Sequence, residues 1–182
     1  MKRNLRPTAP AALVLLAGLV GCSVASVETP DPAAIPSGSL EARGPAATGP
    51  IVELGSDVTL DHGWRYAVYP SDDGWCTQLE TGASTTTGCG EILPEEGQAF
   101  GSVGTNDPTP EAVTIVEGIT AAETATVWLI AENGRVPATL MSLEPAGLNG
   151  QGFVGFAPPG VTVTHVMAVA INGEVLETYE LP

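Results

Sequence analysis

The chain has 182 residues, of which 43% are hydrophobic, and its formal net charge at pH 7 is −15. Lys and Arg together number only six. This excludes the clustered positive charge that nucleic-acid phosphates require, so we expect no nucleic-acid partner. The length suits one globular domain with short extensions.

The first 22 residues carry the pattern of an export signal. Lys and Arg occupy three of the first six positions, and an apolar run follows from Ala11 to Val20. That run is far shorter than the roughly 20 residues of a membrane-spanning helix. It ends in Leu19-Val20-Gly21-Cys22. This tetrapeptide resembles the lipobox of bacterial lipoproteins.

The resemblance implies a processing route and a location. A signal peptidase would remove residues 1–21 as a lipoprotein signal peptide, after attachment of a diacylglyceryl group to the sulfur of Cys22. Two long acyl chains supply roughly 20 kcal/mol of membrane anchoring, at about 0.8 kcal/mol per methylene. We therefore expect a lipid-anchored protein at the extracytoplasmic face of the cell membrane. Three positive and all 21 negative side chains would remain, a balance of −18.

Residues 22–50 are predicted to form a linker. Apart from the lipidated Cys22, this stretch is mostly Ala, Pro, Gly, Ser and Thr, with hardly any large apolar residue. Such a composition cannot build a core. As a flexible coil it would span roughly 30 Å, and up to about 85 Å if it were largely polyproline II.

Residues 51–182 are predicted to form an all-β domain, a small antiparallel β-sandwich of Ig-like or barrel-like type. Short apolar runs are separated by Gly, Pro and Asn, and Asn133-Gly134 and Asn172-Gly173 are hairpin signals. Residues 161–171 read as a strand that is apolar on both sides and mostly buried, with His165 on its more apolar face as a core histidine. Helix formers in 111–118 and 121–126 leave room for one short helical turn.

Cysteine pairing follows from the lipidation. Once Cys22 carries the lipid, Cys76 and Cys89 remain as a pair, and the segment between them is rich in turn residues. We expect a disulfide across a hairpin. The alternative, a metal or redox site, lacks a Cys-x-x-Cys motif and has only two histidines to draw on.

The search for catalytic motifs identifies no nucleophile, metal cluster or cofactor site. Gly150 to Gly155 matches Gly-x-Gly-x-x-Gly, but Pro158 and Pro159 stand where the phosphate-binding helix would run. His62 is the better of the two histidines for acid–base chemistry because it lies in a predicted loop.

Two further sets of residues are weaker candidates for a site. The pairs Asp72-Asp73 and Glu95-Glu96 read as solvated turns, with general acid–base chemistry or calcium binding as the alternative. Trp64 and Tyr66 share one face of a predicted strand. They read as core, with a sugar-stacking platform as the alternative.

The sequence therefore predicts a non-enzymatic binding or interaction module of the cell envelope, without a cofactor. Its partners would be the membrane, through the lipid, and an envelope protein, polymer or small ligand. The alternative is an extracytoplasmic hydrolase that uses paired carboxylates, because such chemistry leaves little trace in a sequence.

Overall fold

The computed structural model describes residues 31–82, 84–106 and 112–182. The predicted signal peptide, Cys22 and the first part of the predicted linker lie outside these residues. The described part contains no helix with the length and apolarity needed to cross a bilayer. It is built from antiparallel strands, so the predicted all-β fold is confirmed.

Twelve strands are found in the described ranges, together with a 3₁₀ turn at Glu144–Ala146. The strands are β1 Val52–Thr59, β2 His62–Ser71, β3 Gly74–Thr81, β4 Thr85–Gly90, β5 Phe100–Thr105, β6 Thr114–Thr120, β7 Thr124–Ala131, β8 Gly134–Pro137, β9 Thr139–Ser142, β10 Gln151–Ala157, β11 Val163–Ala170 and β12 Val175–Glu180. Both Asn-Gly pairs lie at hairpins, β7–β8 and β11–β12, as predicted. The segment that could have been helical at 111–118 contributes β6.

The strands form three four-stranded sheets. Sheet A has the order β1-β2-β3-β4, sheet B has β5-β6-β10-β9, and sheet C has β12-β11-β7-β8. Sheet A is a simple meander, whereas β6 pairs with β10 after the chain has left sheet B to form the β7–β8 hairpin of sheet C. The chain therefore passes from sheet B to sheet C and back, which connects the two sheets.

Two apolar cores stack the sheets in the order A, B, C. In the first core, residues of sheet A pack against one face of sheet B; its members include Trp64, Tyr66, Leu79, Ile119, Val154 and Phe156. In the second, the other face of sheet B packs against sheet C, through Phe100, Phe153, Leu129, Val127 and Val166. The sandwich therefore has three layers, with sheet B in the middle.

Glycines let the middle sheet approach both of its neighbours closely. A Cβ at Gly152 would lie 2.8 Å from Cε1 of Tyr66 in sheet A, and one at Gly155 would lie 2.7 Å from Cδ1 of Leu129 in sheet C. Both distances are shorter than atoms tolerate. Since adjacent strand residues point to opposite faces, one strand accommodates a bulky neighbour on each side.

Residues 31–50, which we call the strap, lie along the outer face of sheet A. The amide of Gly63 donates to the carbonyl of Pro32 at 2.7 Å, and the amide of Thr48 donates to that of Pro70 at 2.9 Å. At Gly63 a Cβ would come within 2.1 Å of the Ala34 oxygen, so only glycine fits beneath the strap there. This arrangement differs from the free linker expected up to residue 50, because backbone and side-chain hydrogen bonds, rather than large apolar side chains, hold the segment.

Buried polar side chains of sheet A fasten the strap. Gln78 is fully buried, and its amide donates to the carbonyl of Glu41 at 3.0 Å and accepts from the amide of Arg43 at 2.9 Å. Beside it, the guanidinium of Arg65 forms an ion pair with Glu80 and donates to the carbonyl of Gly38 at 3.0 Å. The side chains thus supply the partners that an adjacent strand would otherwise provide.

The strand at 163–170 was expected to be mostly buried on both faces, but only one of its faces is buried. Val166 and Ala168 are fully buried in the second core, whereas His165 and Met167 lie on the opposite face and are partly exposed. A register irregularity between Val163 and His165 shifts the alternation that the apolar pattern suggested. His165 is therefore not a core histidine, and its Nδ1 lies 2.9 Å from the hydroxyl of Thr164.

Candidate functional site

The predicted disulfide is confirmed. Cys76 of β3 and Cys89 of β4 are direct cross-strand partners, and their sulfurs are bonded at 2.07 Å. Cys76 is fully buried on the outer face of sheet A, where it neighbours Tyr69 of β2. The bridge therefore fixes an edge strand to the sheet that carries the strap.

The other residues considered from the sequence do not converge on one site. Asp72 and Asp73 form the β2–β3 turn, Glu95 is in a turn that ends with the Gln98 amide donating to its carbonyl, and His62 contacts the carbonyl of Leu60. Trp64 and Tyr66 are buried in the first core, as the preferred interpretation held. No group of three or more His, Cys, Asp and Glu within the described ranges is arranged to hold a metal ion.

A buried carboxyl at the boundary of sheets A and B is the first feature that the sequence reasoning missed. Glu117 lies in the middle of β6 with 8% of its surface exposed, and its Oε2 accepts a hydrogen bond from the Tyr66 hydroxyl at 3.0 Å. The same hydroxyl lies 3.2 Å from the carbonyl of Gly118. One sequence signal pointed to this residue: it is a single charge inside an otherwise apolar strand.

Burial changes the titration of both groups. Loss of solvation raises the pKa of Glu117 above its usual 4.5, and the hydrogen bond from Tyr66 partly offsets that rise. Desolvation, together with the nearby Glu117 charge, raises the pKa of Tyr66 well above 10.0. The Tyr66 hydroxyl therefore has an acceptor in either protonation state of Glu117. It can donate to the ionised carboxylate or, when Glu117 is protonated, to the Gly118 carbonyl.

A small cavity of about 50 Å³ opens beside Glu117. Its inner end is formed by Glu117, Leu79 and Ile115, and its mouth by Ser84 and Thr86 of the β3–β4 hairpin; Thr81, Thr105 and Asn106 complete the lining. Oε1 of Glu117 lies over Gly104, where a Cβ would approach within 2.8 Å. Among the described residues this oxygen accepts no hydrogen bond, whereas Oε2 is bonded to Tyr66.

The outer face of sheet C is the second feature that the sequence reasoning missed. It includes five residues of β7 and β11 that alternate with the second core: Trp128, Ile130, His165, Met167 and Val169. All five are partly exposed. The face is flanked by Arg135 of β8 on one side and by Val175, Thr178 and Glu180 of β12 on the other.

The centre of this face is aromatic and apolar. Trp128 and Met167 are direct cross-strand partners, and the guanidinium carbon of Arg135 lies 4.2 Å from the centroid of the Trp128 ring. A cation at that distance is held by the electrostatic field of the ring. At the hairpin that joins β11 and β12, Ile171 is 94% exposed and Val175 is 52% exposed. The outer face of sheet A is covered by the strap, whereas this face presents apolar side chains to solvent.

Comparisons with known proteins give no relative from which a site could be transferred. No family model, no curated protein sequence and no solved structure matches this chain. The candidate sites therefore rest on the geometry of the chain itself.

Proposed function

We propose that the protein is a membrane-anchored extracytoplasmic lipoprotein whose β-domain is a non-enzymatic module that binds an envelope protein. The observation that carries the binding role is the outer face of sheet C, where Trp128 and Met167 form an apolar centre between Arg135 and Glu180. Apolar and aromatic centres with a charged rim are characteristic of protein–protein interfaces.

The layer order supports this role. The strap, which leads back to the proposed lipid on Cys22, lies on sheet A, and the open face belongs to sheet C at the other side of the stack. A partner bound to sheet C would therefore not compete with the segment that joins the domain to the membrane.

The placement of the buried carboxyls favours binding over the alternative hydrolase. A hydrolase with paired carboxylates needs two carboxyls that face one substrate. Glu80 faces outward from sheet A, where Arg65 and Gln78 engage it, whereas Glu117 projects from sheet B toward the inner face of sheet A and is bonded to Tyr66. Each carboxyl has its own partner and they lie on opposite sides of sheet A.

Site-specific photo-cross-linking on intact cells tests the proposal. A photoreactive residue at Thr178, on the rim of the outer face of sheet C, should give a discrete cross-linked protein. The same residue at exposed Glu96 serves as the control and should not. Met167→Lys should abolish the Thr178 adduct by placing an unpaired charge in the centre of the face. An adduct that forms equally from both positions, one that survives Met167→Lys, or one to envelope polymer would contradict the proposal.

A further inference from the structure

The cavity beside Glu117 has a chemistry distinct from that of the outer face of sheet C. Its inner end holds a carboxyl that is more than nine-tenths buried and whose Oε1 is unpartnered among the described residues. Because Oε1 keeps some accessible surface at the cavity, this carboxylate oxygen can accept a hydrogen bond from an incoming donor. The unsubstituted Cα of Gly104 leaves the space in which Oε1 lies.

The lining defines the kind of donor that fits. Ser84 and Thr86, both hydroxyl-bearing, line the exposed mouth, and Leu79 and Ile115 supply apolar walls. A cavity of about 50 Å³ has room for roughly three water-sized groups. One carboxylate balances one positive charge, whereas calcium usually takes six to eight oxygen ligands with several carboxylates among them.

We propose that this cavity binds a small primary ammonium ion, with Glu117 as its counter-ion. The three N–H donors of such an ion would meet Oε1 of Glu117 and the hydroxyls near the mouth, and a methyl or short alkyl group would contact Leu79 and Ile115. The surplus of acidic side chains would raise the local concentration of cations at the mouth.

Titration of the full-length protein in detergent with methylammonium chloride tests this site. Backbone amide NMR should show saturable shifts that centre on Gly104, Asn106 and Glu117. Sodium and tetramethylammonium at the same ionic strength serve as controls. Tetramethylammonium has the same charge but no N–H donor and is too large, so it should leave these amides unchanged.

Two variants separate binding from folding. Glu117→Gln should weaken methylammonium binding by about tenfold or more, as expected for the loss of a hydrogen bond to a charged group. Thr86→Val, at the exposed mouth, should weaken it several-fold while leaving the fold intact. Glu95→Gln, at an exposed turn, should bind as wild type does. Equal shifts with tetramethylammonium, an affinity unchanged in both cavity variants, or no saturable shift at all would overturn the proposal.

Discussion

The hydroxyl of Tyr66 in sheet A donates to the carboxyl of Glu117 in sheet B at 3.0 Å, inside an otherwise apolar core. This bond joins two layers that otherwise pack through aliphatic and aromatic side chains. Because hydrogen bonds are directional, this bond constrains the position of β2 relative to β6 more strictly than apolar packing alone would.

Replacing Tyr66→Phe should destabilise the domain by about 1–3 kcal/mol, because Glu117 would lose the donor to its buried Oε2. Urea unfolding followed by tryptophan fluorescence measures the change. Tyr179→Phe is the matched control, since Tyr179 is 39% exposed and its ring contact with Phe100 survives the substitution. It should alter stability by less than about 0.5 kcal/mol. A similar loss in both variants would argue against a special role for the buried bond.

The raised pKa of Glu117 predicts a pH dependence with a definite sign. In the unfolded chain the carboxyl loses its proton near 4.5, whereas the folded state retains it to higher pH. The stabilising contribution is therefore complete below pH 4.5 and declines as the pH rises through the folded pKa. Glu117→Gln removes this dependence, so the difference in unfolding free energy between wild type and variant should change with pH across this window. Parallel stability curves for the two proteins would refute the assignment.

The raised pKa of Tyr66 predicts a second loss of folding stability, at alkaline pH. Its pKa is raised well above 10.0 in the folded state, so the unfolded chain ionises first. Stability should fall as the pH rises above about 10, and Tyr66→Phe should flatten this part of the profile. Thermal unfolding between pH 9 and 11 provides the measurement; a profile as steep in the variant as in wild type would be inconsistent with it.

Release of the strap should follow from substitutions beneath it. Gly63→Ala would place a Cβ within 2.1 Å of the Ala34 oxygen and push residues 31–36 off the sheet. Arg65→Met would leave Glu80 buried without its ion-pair partner, at a cost of about 3–5 kcal/mol. Both should accelerate amide hydrogen exchange in residues 31–50. Gly88→Ala, where the nearest atom to a Cβ is 3.6 Å away, is the control and should leave exchange in the strap unchanged.

Reduction of the Cys76–Cys89 bridge should lower stability by roughly 3 kcal/mol, because it releases a loop of about 14 residues in the unfolded chain. For a domain of this size the melting temperature should fall by on the order of 10 °C. Calorimetry with and without reductant tests this, and the Cys76→Ala, Cys89→Ala double variant should reproduce the reduced value. A melting temperature that does not respond to reductant would show that the strap and the sheet hold β4 without the bond.

The proposed anchor makes a separate prediction. Wild-type protein from a bacterial host should partition into the detergent phase and carry the mass of a diacylglyceryl group on Cys22. Cys22→Ala should lack that mass and remain in the aqueous phase. An acyl mass on the variant, or none on the wild type, would contradict the lipobox interpretation.

The fold class, two hairpins and the disulfide could be predicted because they depend on local signals, namely strand periodicity, Asn-Gly turns, and the pair of cysteines left once Cys22 is assigned to the lipobox. The layer order could not, because each sheet is assembled from strands whose mutual placement the local pattern does not encode. β6 and β10 are buried on both faces, yet the long apolar run at 161–171 forms part of an outer layer. Glu117 was missed for the same reason: its partner Tyr66 is 51 residues away in the chain.

If Cys22 carries the proposed lipid, the docked strap limits how far the domain can stand from the bilayer. Because Asp31 and Pro32 already lie against sheet A, at most residues 22–30 are left as a spacer between the proposed lipid and the domain. Even fully extended, at most about 3.6 Å per residue, that spacer reaches only ~30 Å. The ~85 Å considered for the full linker would therefore be out of reach. A domain on so short a spacer would meet partners embedded in, or lying close to, the same membrane. Partners beyond a thick envelope would be out of its reach.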